Sequence, residues 1–276
     1  MNARAIFLHC DRISDLVLTL KFDHFLKPKF DHTIIFFGPW DLKINLESLL
    51  LSHNIDTRNI EIIPDWKIWG NNLPVDIYQF GGWIGQQFVK LLSLDFLGQY
   101  DNILIQDCDT FNIKPYHWIS DNGQIKIYGL PHTSHAADYY RYLNYFTGKP
   151  RQTHYCFISE FMPIKKIYWK LLKDRITSGK NCHWAEILHT VFLEDFCQSA
   201  EQIWFSEYEL LGNWALLMDP NIEIVEQKRF LLLIENQWQT QIKNINSYNV
   251  VANYNSIELD QIEYWYQRIN NYLVDQ

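Results

Sequence analysis

The chain has no long apolar run. Ala5-Ile6-Phe7-Leu8 gives way at once to His9, Cys10 and Asp11, and the longest clean apolar run elsewhere is Phe230 to Ile234. Neither approaches the ~20 residues that span a bilayer, and the first is too short for a signal-peptide core. Cysteine is scarce. Cys10, Cys108, Cys156, Cys182 and Cys197 make an odd set with no C-x-x-C pair, which argues against a disulfide framework or a zinc ribbon. A soluble, cytoplasmic protein with reduced thiols is the expectation. Positive charge is in the minority: 24 Lys+Arg against 32 Asp+Glu give a formal net charge of −8, a poor match to a general nucleic-acid binder. No G-x-x-x-x-G-K-[ST], H-E-x-x-H or G-x-S-x-G occurs, so P-loop, zincin and α/β-hydrolase readings have no anchor. Internal repeats, low-complexity tracts and Pro/Gly/Ser-rich linkers are also missing, so one domain over residues 1–276 is expected.

Aromatic residues, by contrast, are plentiful: 11 Trp, 16 Tyr and 17 Phe. Rings in such number fill cores, and their flat amphipathic faces also suit planar or sugar-like ligands. The first half alternates short apolar runs with stretches of helical spacing. Ala5–His9, His32–Phe37 and Ile60–Ile63 read as strands, the second stopped by Gly38-Pro39 and the third by Pro64. Asp41–Ser52 reads as a helix, as does Trp83–Leu97 after Gly81-Gly82. Asn102–Gln106 is apolar on both faces, as a central parallel strand is, and Ile125–Leu130 is a further strand candidate ending at Pro131. Such alternation predicts βαβ units and an α/β sheet, which binds ligands at the carboxyl ends of its strands. The second half reads as helical. Ile164–Ile176, Trp184–Phe196 and Ser256–Leu273 are amphipathic, and Ser206-x-x-Glu209 has the pattern of a capping box for a helix starting near Glu207.

Asp107-Cys108-Asp109 follows the apolar strand Asn102–Gln106 directly. If the extended conformation continues, residues 107 and 109 point to the same side. Two carboxylates held together repel each other unless a hard cation sits between them, and oxygen ligands suit Mg²⁺ or Mn²⁺. Such an ion commonly keeps positions open for phosphate oxygens, which makes a nucleoside diphosphate a natural second ligand. A pair of solvated turn aspartates is the plainer reading.

Four ordered motifs extend this pattern: Gly82-Trp83-Ile84-Gly85-Gln86-Gln87-Phe88-Val89-Lys90, the D-x-D strand, Phe157-Ile158-Ser159-Glu160-Phe161-Met162, and Phe205-Ser206-Glu207-Tyr208-Glu209-Leu210-Leu211-Gly212-Asn213. In this order, over about residues 5–220, the chain resembles a family of bacterial and phage GT-A-type glycosyltransferases. The resemblance implies a GT-A-like, Rossmann-like α/β fold, with a central mostly parallel sheet flanked by helices and a helical C-terminal portion. It implies a nucleotide-binding half of about residues 1–130 and an acceptor-binding half of about residues 131–276. It also implies a nucleotide-sugar donor, Mn²⁺ or Mg²⁺ on Asp107 and Asp109, and transfer of a sugar to an acceptor. One departure stands out. Where the family often has a His before the Met, this chain has Phe161, with His132, His154 and His183 as the substitutes considered.

The remaining candidates each have a plainer alternative. Gln86 and Lys90 share a helix face, with Gln87 about 100° around it. An amide and a cation near strand ends suit phosphate or sugar hydroxyls, and a merely wet helix face fits as well. Trp83 is a stacking candidate for a base or sugar, or a core residue. Glu207, at the start of its helix, is the first choice for the acceptor base of an inverting enzyme or the carboxylate of a retaining one; plain helix-start electrostatics is the alternative. Glu160 is a candidate of the same kind. Asp11 and Asp65, after the first and third strands, are placed to accept from a ribose hydroxyl or base N–H, or to serve as turn residues. Tyr139, Tyr140, Arg141 and Tyr142 form an aromatic-basic cluster that fits an acceptor surface or a packed loop. Acceptors considered are polysaccharide, lipid-linked sugar, protein, a small metabolite and, less in keeping with the charge, modified DNA. The rival functions are a catalytically silent nucleotide- or sugar-binding protein of the same fold and a metal-dependent phosphohydrolase. The latter is disfavoured by Phe111 after the D-x-D and by the absence of any Gly-Asp or Asp-Asp pair.

Overall fold

Runs of β-branched and aromatic residues, apolar on both faces, form the centre of the molecule because both faces of the sheet are covered. The computed structural model describes residues 1–9, 12–38, 46–69, 76, 79–131, 138–199, 205–232, 250–253 and 259–274. The first strand, β1 (Asn2–His9), leads into α1 (Ile13–Lys21) and the short β2 (Leu26–Lys27). Then come β3 (His32–Gly38), α2 (Leu46–Ser52), β4 (Ile60–Pro64), α3 (Trp66–Trp69), α4 (Gly82–Phe96) and β5 (Asn102–Asp107). After β6 (Thr110–Asn112), β7 (Tyr116–His117), β8 (Lys126–Gly129) and α5 (Asp138–Thr147), the chain forms β9 (Phe161–Lys165). It continues with α6 (Lys166–Ile176), α7 (Trp184–Ser199), α8 (Glu207–Met218), β10 (Glu223–Glu226), β11 (Arg229–Leu232), β12 (Val250–Asn253) and α9 (Ile262–Val274).

The main sheet has the order β4-β3-β1-β5-β9. Its first four strands are parallel, and β9 runs antiparallel to β5. Side chains alternate across it. Ala3, Ala5, Phe7, Ile34, Phe36, Ile103 and Ile105 meet the α4, α6, α7 and α8 side, while Ile6, Leu8 and Ile35 meet α1 and α2. The order reverses between β1 and β5, and the crevice at such a switch point is where open α/β sheets bind ligands.

Several expectations need correction. The helix expected from Ile164 begins at Lys166, because Phe161–Lys165 pairs with β5 as a strand and Met162 and Ile164 fill its core face. The second half is therefore not only helical: β10 pairs with β8, and β11-β12-β6 form a further small sheet. The terminal helix begins at Ile262 rather than Ser256, after a 3₁₀ turn at Leu259–Gln261, and residues 256–258 lie outside the described residues. The predicted helix over 41–52 is described only from Leu46.

The Ser206 cap forms as expected, its hydroxyl accepting from Glu209 N–H at 3.2 Å. The Glu209 carboxylate does not reach back to complete the box. It accepts from Phe157 N–H at 2.9 Å and from Asn213 Nδ2 at 3.0 Å, tying α8 to the segment before β9. Gly212 lies against Phe157, where an added Cβ would come within 2.5 Å of the ring. Gly212→Ala is therefore expected to destabilise the protein by about 1–3 kcal/mol through overpacking, read as a lower urea midpoint. An unchanged midpoint would contradict this contact.

Candidate active site

The extended backbone expected through the D-x-D stops at Asp107. Cys108 and Asp109 form a turn into β6. Among the contacts that hold it, Thr19 Oγ1 of α1 donates to Cys108 O at 2.6 Å, Gln106 Nε2 to Thr110 O at 2.8 Å, Thr110 Oγ1 to Asp109 Oδ1 at 3.3 Å, and Asp107 N–H to Glu160 O at 3.1 Å. Glu160 takes φ +56°, a left-handed conformation that residues other than glycine seldom adopt. Backbone strain thus sits directly beside Asp107.

The two aspartates have different partners. Arg12 Nη2 lies 2.7 Å from Asp109 Oδ2, and its Nε lies 3.2 Å from Asp15 Oδ2. Lys90 Nζ lies 2.7 Å from Asp107 Oδ1 and 2.7 Å from Glu207 Oε1. The ammonium also stands 4.4 Å from the centre of the Tyr208 ring, a cation–π distance. Lys90 is 3% exposed and Glu207 1%, whereas Asp107 is 19% exposed. Gln87 Oε1 accepts the Glu207 backbone N–H at 3.0 Å. Gln87 and Lys90, three apart on α4, therefore hold the start of α8 together. Asp107 Oδ1, Glu207 Oε1 and Tyr208 Oη are buried, and the two carboxylate oxygens face the Lys90 ammonium.

One ammonium between two carboxylates leaves a net negative charge in a dry place. Burial pushes Asp107 and Glu207 above the ordinary carboxylate range; Lys90 opposes this, while Asp109 adds to it at Asp107 and Asp107 adds to it at Glu207. Burial works against the Lys90 ammonium, but its two carboxylate neighbours outweigh it and hold the group above its usual value. The Tyr208 hydroxyl is raised well above its usual value by burial and then by the charges of Asp107, Glu207 and Glu160.

Asp107, Asp109, Glu160, Lys90 and Glu207 thus gather at the carboxyl end of β5, with Gln87 behind them. Gln87 and Lys90 turn inward, and Gln86 is half-buried on α4. Trp83 is 40% exposed and meets Tyr139 edge-on at 6.3 Å. Gly81, at φ +96° and ψ 163°, occupies a region open essentially to glycine alone and starts α4. Asp65 is buried after β4, its N–H bonded to Phe37 O at 2.9 Å and its carboxylate over Gly38. An added Gly38 Cβ would lie 1.9 Å from Asp65 Oδ2. Asp11 and His132 lie outside the described residues. Phe161 packs in the core with Leu104, Tyr116 and Tyr128. His183 is exposed and accepts the Ala185 N–H at 3.2 Å, and His154 is exposed beside Tyr155. Sequence reasoning missed Arg12 and Tyr208. Tyr208 lay inside a quoted motif, and Arg12 follows the first strand, where a phosphate-facing cation is reasonable.

The two carboxylates suit a hard divalent ion whose other positions are filled by water or phosphate oxygens. Asp107 and Asp109 are partly exposed carboxylates, and Mg²⁺ or Mn²⁺ needs only one or two of these when phosphate oxygens and water fill the rest. Among the described residues no third Asp, Glu, His or Cys joins them in a metal-binding group. Arg12 already occupies one Asp109 oxygen and would compete with such an ion.

With this sheet order and site position, the chain has a GT-A-like fold. It is similar to an active-site mutant of LgtC, with a TM-score of 0.52 and 11% identity over 99% of this chain and 95% of that one. It also matches the galactosyltransferase LgtC in complex with donor and acceptor sugar analogues, at TM-score 0.48 and 12% identity over 100% and 96%. At these identities the likeness is one of fold. No protein-family model matches the chain, and no curated protein matches it in sequence. No helix among the described residues is long and apolar enough to cross a membrane.

Replacing Lys90 by Met would leave the buried Glu207 and the partly exposed Asp107 without a counter-charge. Lys90→Met is expected to lose about 3–5 kcal/mol of stability near neutral pH in urea unfolding. Because Asp107 and Glu207 are already raised, the folded protein keeps protons that the unfolded chain releases above about pH 4, so their cost grows as the pH rises. The Lys90→Met loss should accordingly shrink at about pH 5. A loss that grows on acidification would contradict the ion-pair account.

Proposed function

We propose that the chain is a metal-dependent glycosyltransferase that moves a sugar from a nucleoside-diphosphate sugar to an acceptor. The observation that carries this reading is the partly exposed pair Asp107 and Asp109, set by a pinned turn at the switch-point crevice of a GT-A-like sheet. In this reading Asp107 and Asp109 hold Mn²⁺ or Mg²⁺, which, when bound, neutralises the pyrophosphate oxygens of the departing nucleoside diphosphate. Lys90 offsets part of the cost of burying a charged Asp107 and holds it in place. Arg12, beside Asp109, supplies a planar guanidinium of the kind that pairs with phosphate oxygens. The exposed ring of Trp83, with Tyr139 at its edge, offers an apolar face to a sugar or base at the start of α4. Asp65 is turned to the backbone at Gly38, which favours a role in shaping the end of β3 over contact with ribose.

The second reading, a catalytically silent nucleotide- or sugar-binding protein, draws on one contact: the Arg12–Asp109 pair, which satisfies the second aspartate without an ion. A thermal-shift panel of nucleotide sugars with and without Mn²⁺, followed by donor hydrolysis, separates the two. At a hundredfold excess over its dissociation constant, the correct donor with Mn²⁺ should raise the melting temperature by roughly 5–10 °C. It should also be slowly hydrolysed, and Asp109→Asn should abolish both effects. A metal-independent shift without hydrolysis would favour the silent binder, and no shift with any donor would sink the proposal.

A further inference from the structure

We propose that Glu207 is a positioning residue: it holds Lys90, Lys90 holds Asp107, and this chain of contacts fixes the site's first aspartate without Glu207 touching substrate. The inference rests on the glycosyltransferase reading and assigns a role within that site. A group that takes a proton from an acceptor hydroxyl must come within hydrogen-bond distance of it. Glu207 is 1% exposed, and its Oε1 already stands 2.7 Å from a buried ammonium. Its main chain is equally committed, the N–H to Gln87 Oε1 at 3.0 Å and the preceding Ser206 to the cap of α8. The Tyr208 ring lies on the same ammonium at 4.4 Å. Lys90 is therefore enclosed by Asp107, Glu207 and an aromatic face, and only Asp107 of the three charged groups is partly open to solvent. The other charges near this set are Asp109 with its Arg12, and Glu160, whose carbonyl accepts the Asp107 N–H. What leaves the cluster toward the crevice is the orientation of Asp107. Outer partners of this sort orient a metal-binding carboxylate, and their loss typically weakens metal affinity about 10–100-fold.

The test is Glu207→Gln in the full chain, with Lys90→Arg as a second variant that keeps the charge but not the compact ammonium. Two quantities are read: Mn²⁺ affinity, from the electron paramagnetic resonance signal of free Mn²⁺ with UDP, GDP or CDP present, and kcat and KM for donor turnover. In both variants Mn²⁺ affinity should fall about 10–100-fold. In Glu207→Gln the donor KM should rise while kcat stays within roughly tenfold of the parent, less than the 10²–10⁴-fold loss expected on removing a general base. A Glu207→Gln variant with parental Mn²⁺ affinity and kcat down by about 10²–10⁴-fold would make Glu207 the base and overturn the inference. Folded variants with parental affinity and parental kinetics would reduce the cluster to packing and overturn it too. Parent protein that binds no Mn²⁺ with any of the three nucleotides would remove the glycosyltransferase reading and this inference together.

Discussion

A single ammonium held between two carboxylates is the constraint on which the site depends. Lys90 comes from α4, Asp107 from the end of the next element, β5, and Glu207 from the first turn of the distant α8, so one buried charge ties α8 to a neighbouring helix and strand of the first half. Ion pairs of this kind add little net stability compared with apolar packing, yet breaking one partner is costly because the others stay charged in a dry place. The cluster therefore acts more as a locating device than as glue. It sets the start of α8 against α4 and sets Asp107 at the carboxyl end of β5, beside the point where the strand order reverses.

The two motifs of the second half divide their work around this point. In the motif running from Phe205 to Asn213, the first glutamate turns to Lys90 and the second, two residues on, turns the other way to Phe157 N–H and Asn213. Gly212 lets the Phe157 ring lie flat against α8. The segment so clamped then delivers Glu160, in its left-handed conformation, to the Asp107 N–H before entering β9. The N-terminal strands place Asp107 at their carboxyl end, and α8 with the segment before the antiparallel edge strand holds it there.

Much of this was legible in the sequence. The parallel strands, the end of β4 at Pro64, the helix that follows Gly81 and the Ser206 cap all follow from local pattern, because each is decided by residues within a few positions of one another. β9 was not legible, since Phe161–Lys165 runs directly into an amphipathic helix and its strand character comes only from pairing with β5. The same is true of the site. The grouping of Asp107 with Glu207 could be anticipated from family-like motifs, but not the inward turn of Gln87 and Lys90. Helix periodicity placed Gln86 and Lys90 on one face, whereas tertiary packing selected the Gln87–Lys90 pair, because that is the edge of α4 that meets the amino end of α8. The pairing of Asp109 with Arg12 likewise has no local signal.

The most direct measurement of this central interaction is a double-mutant cycle on stability, combining Lys90→Met with Glu207→Gln. If the ammonium and the carboxylate hold each other, the double variant should recover stability relative to the sum of the single losses, with a coupling energy of about 1–3 kcal/mol. Losses that add to within about 0.5 kcal/mol would mean that the two side chains are only neighbours, and the account of the site would fail at its centre.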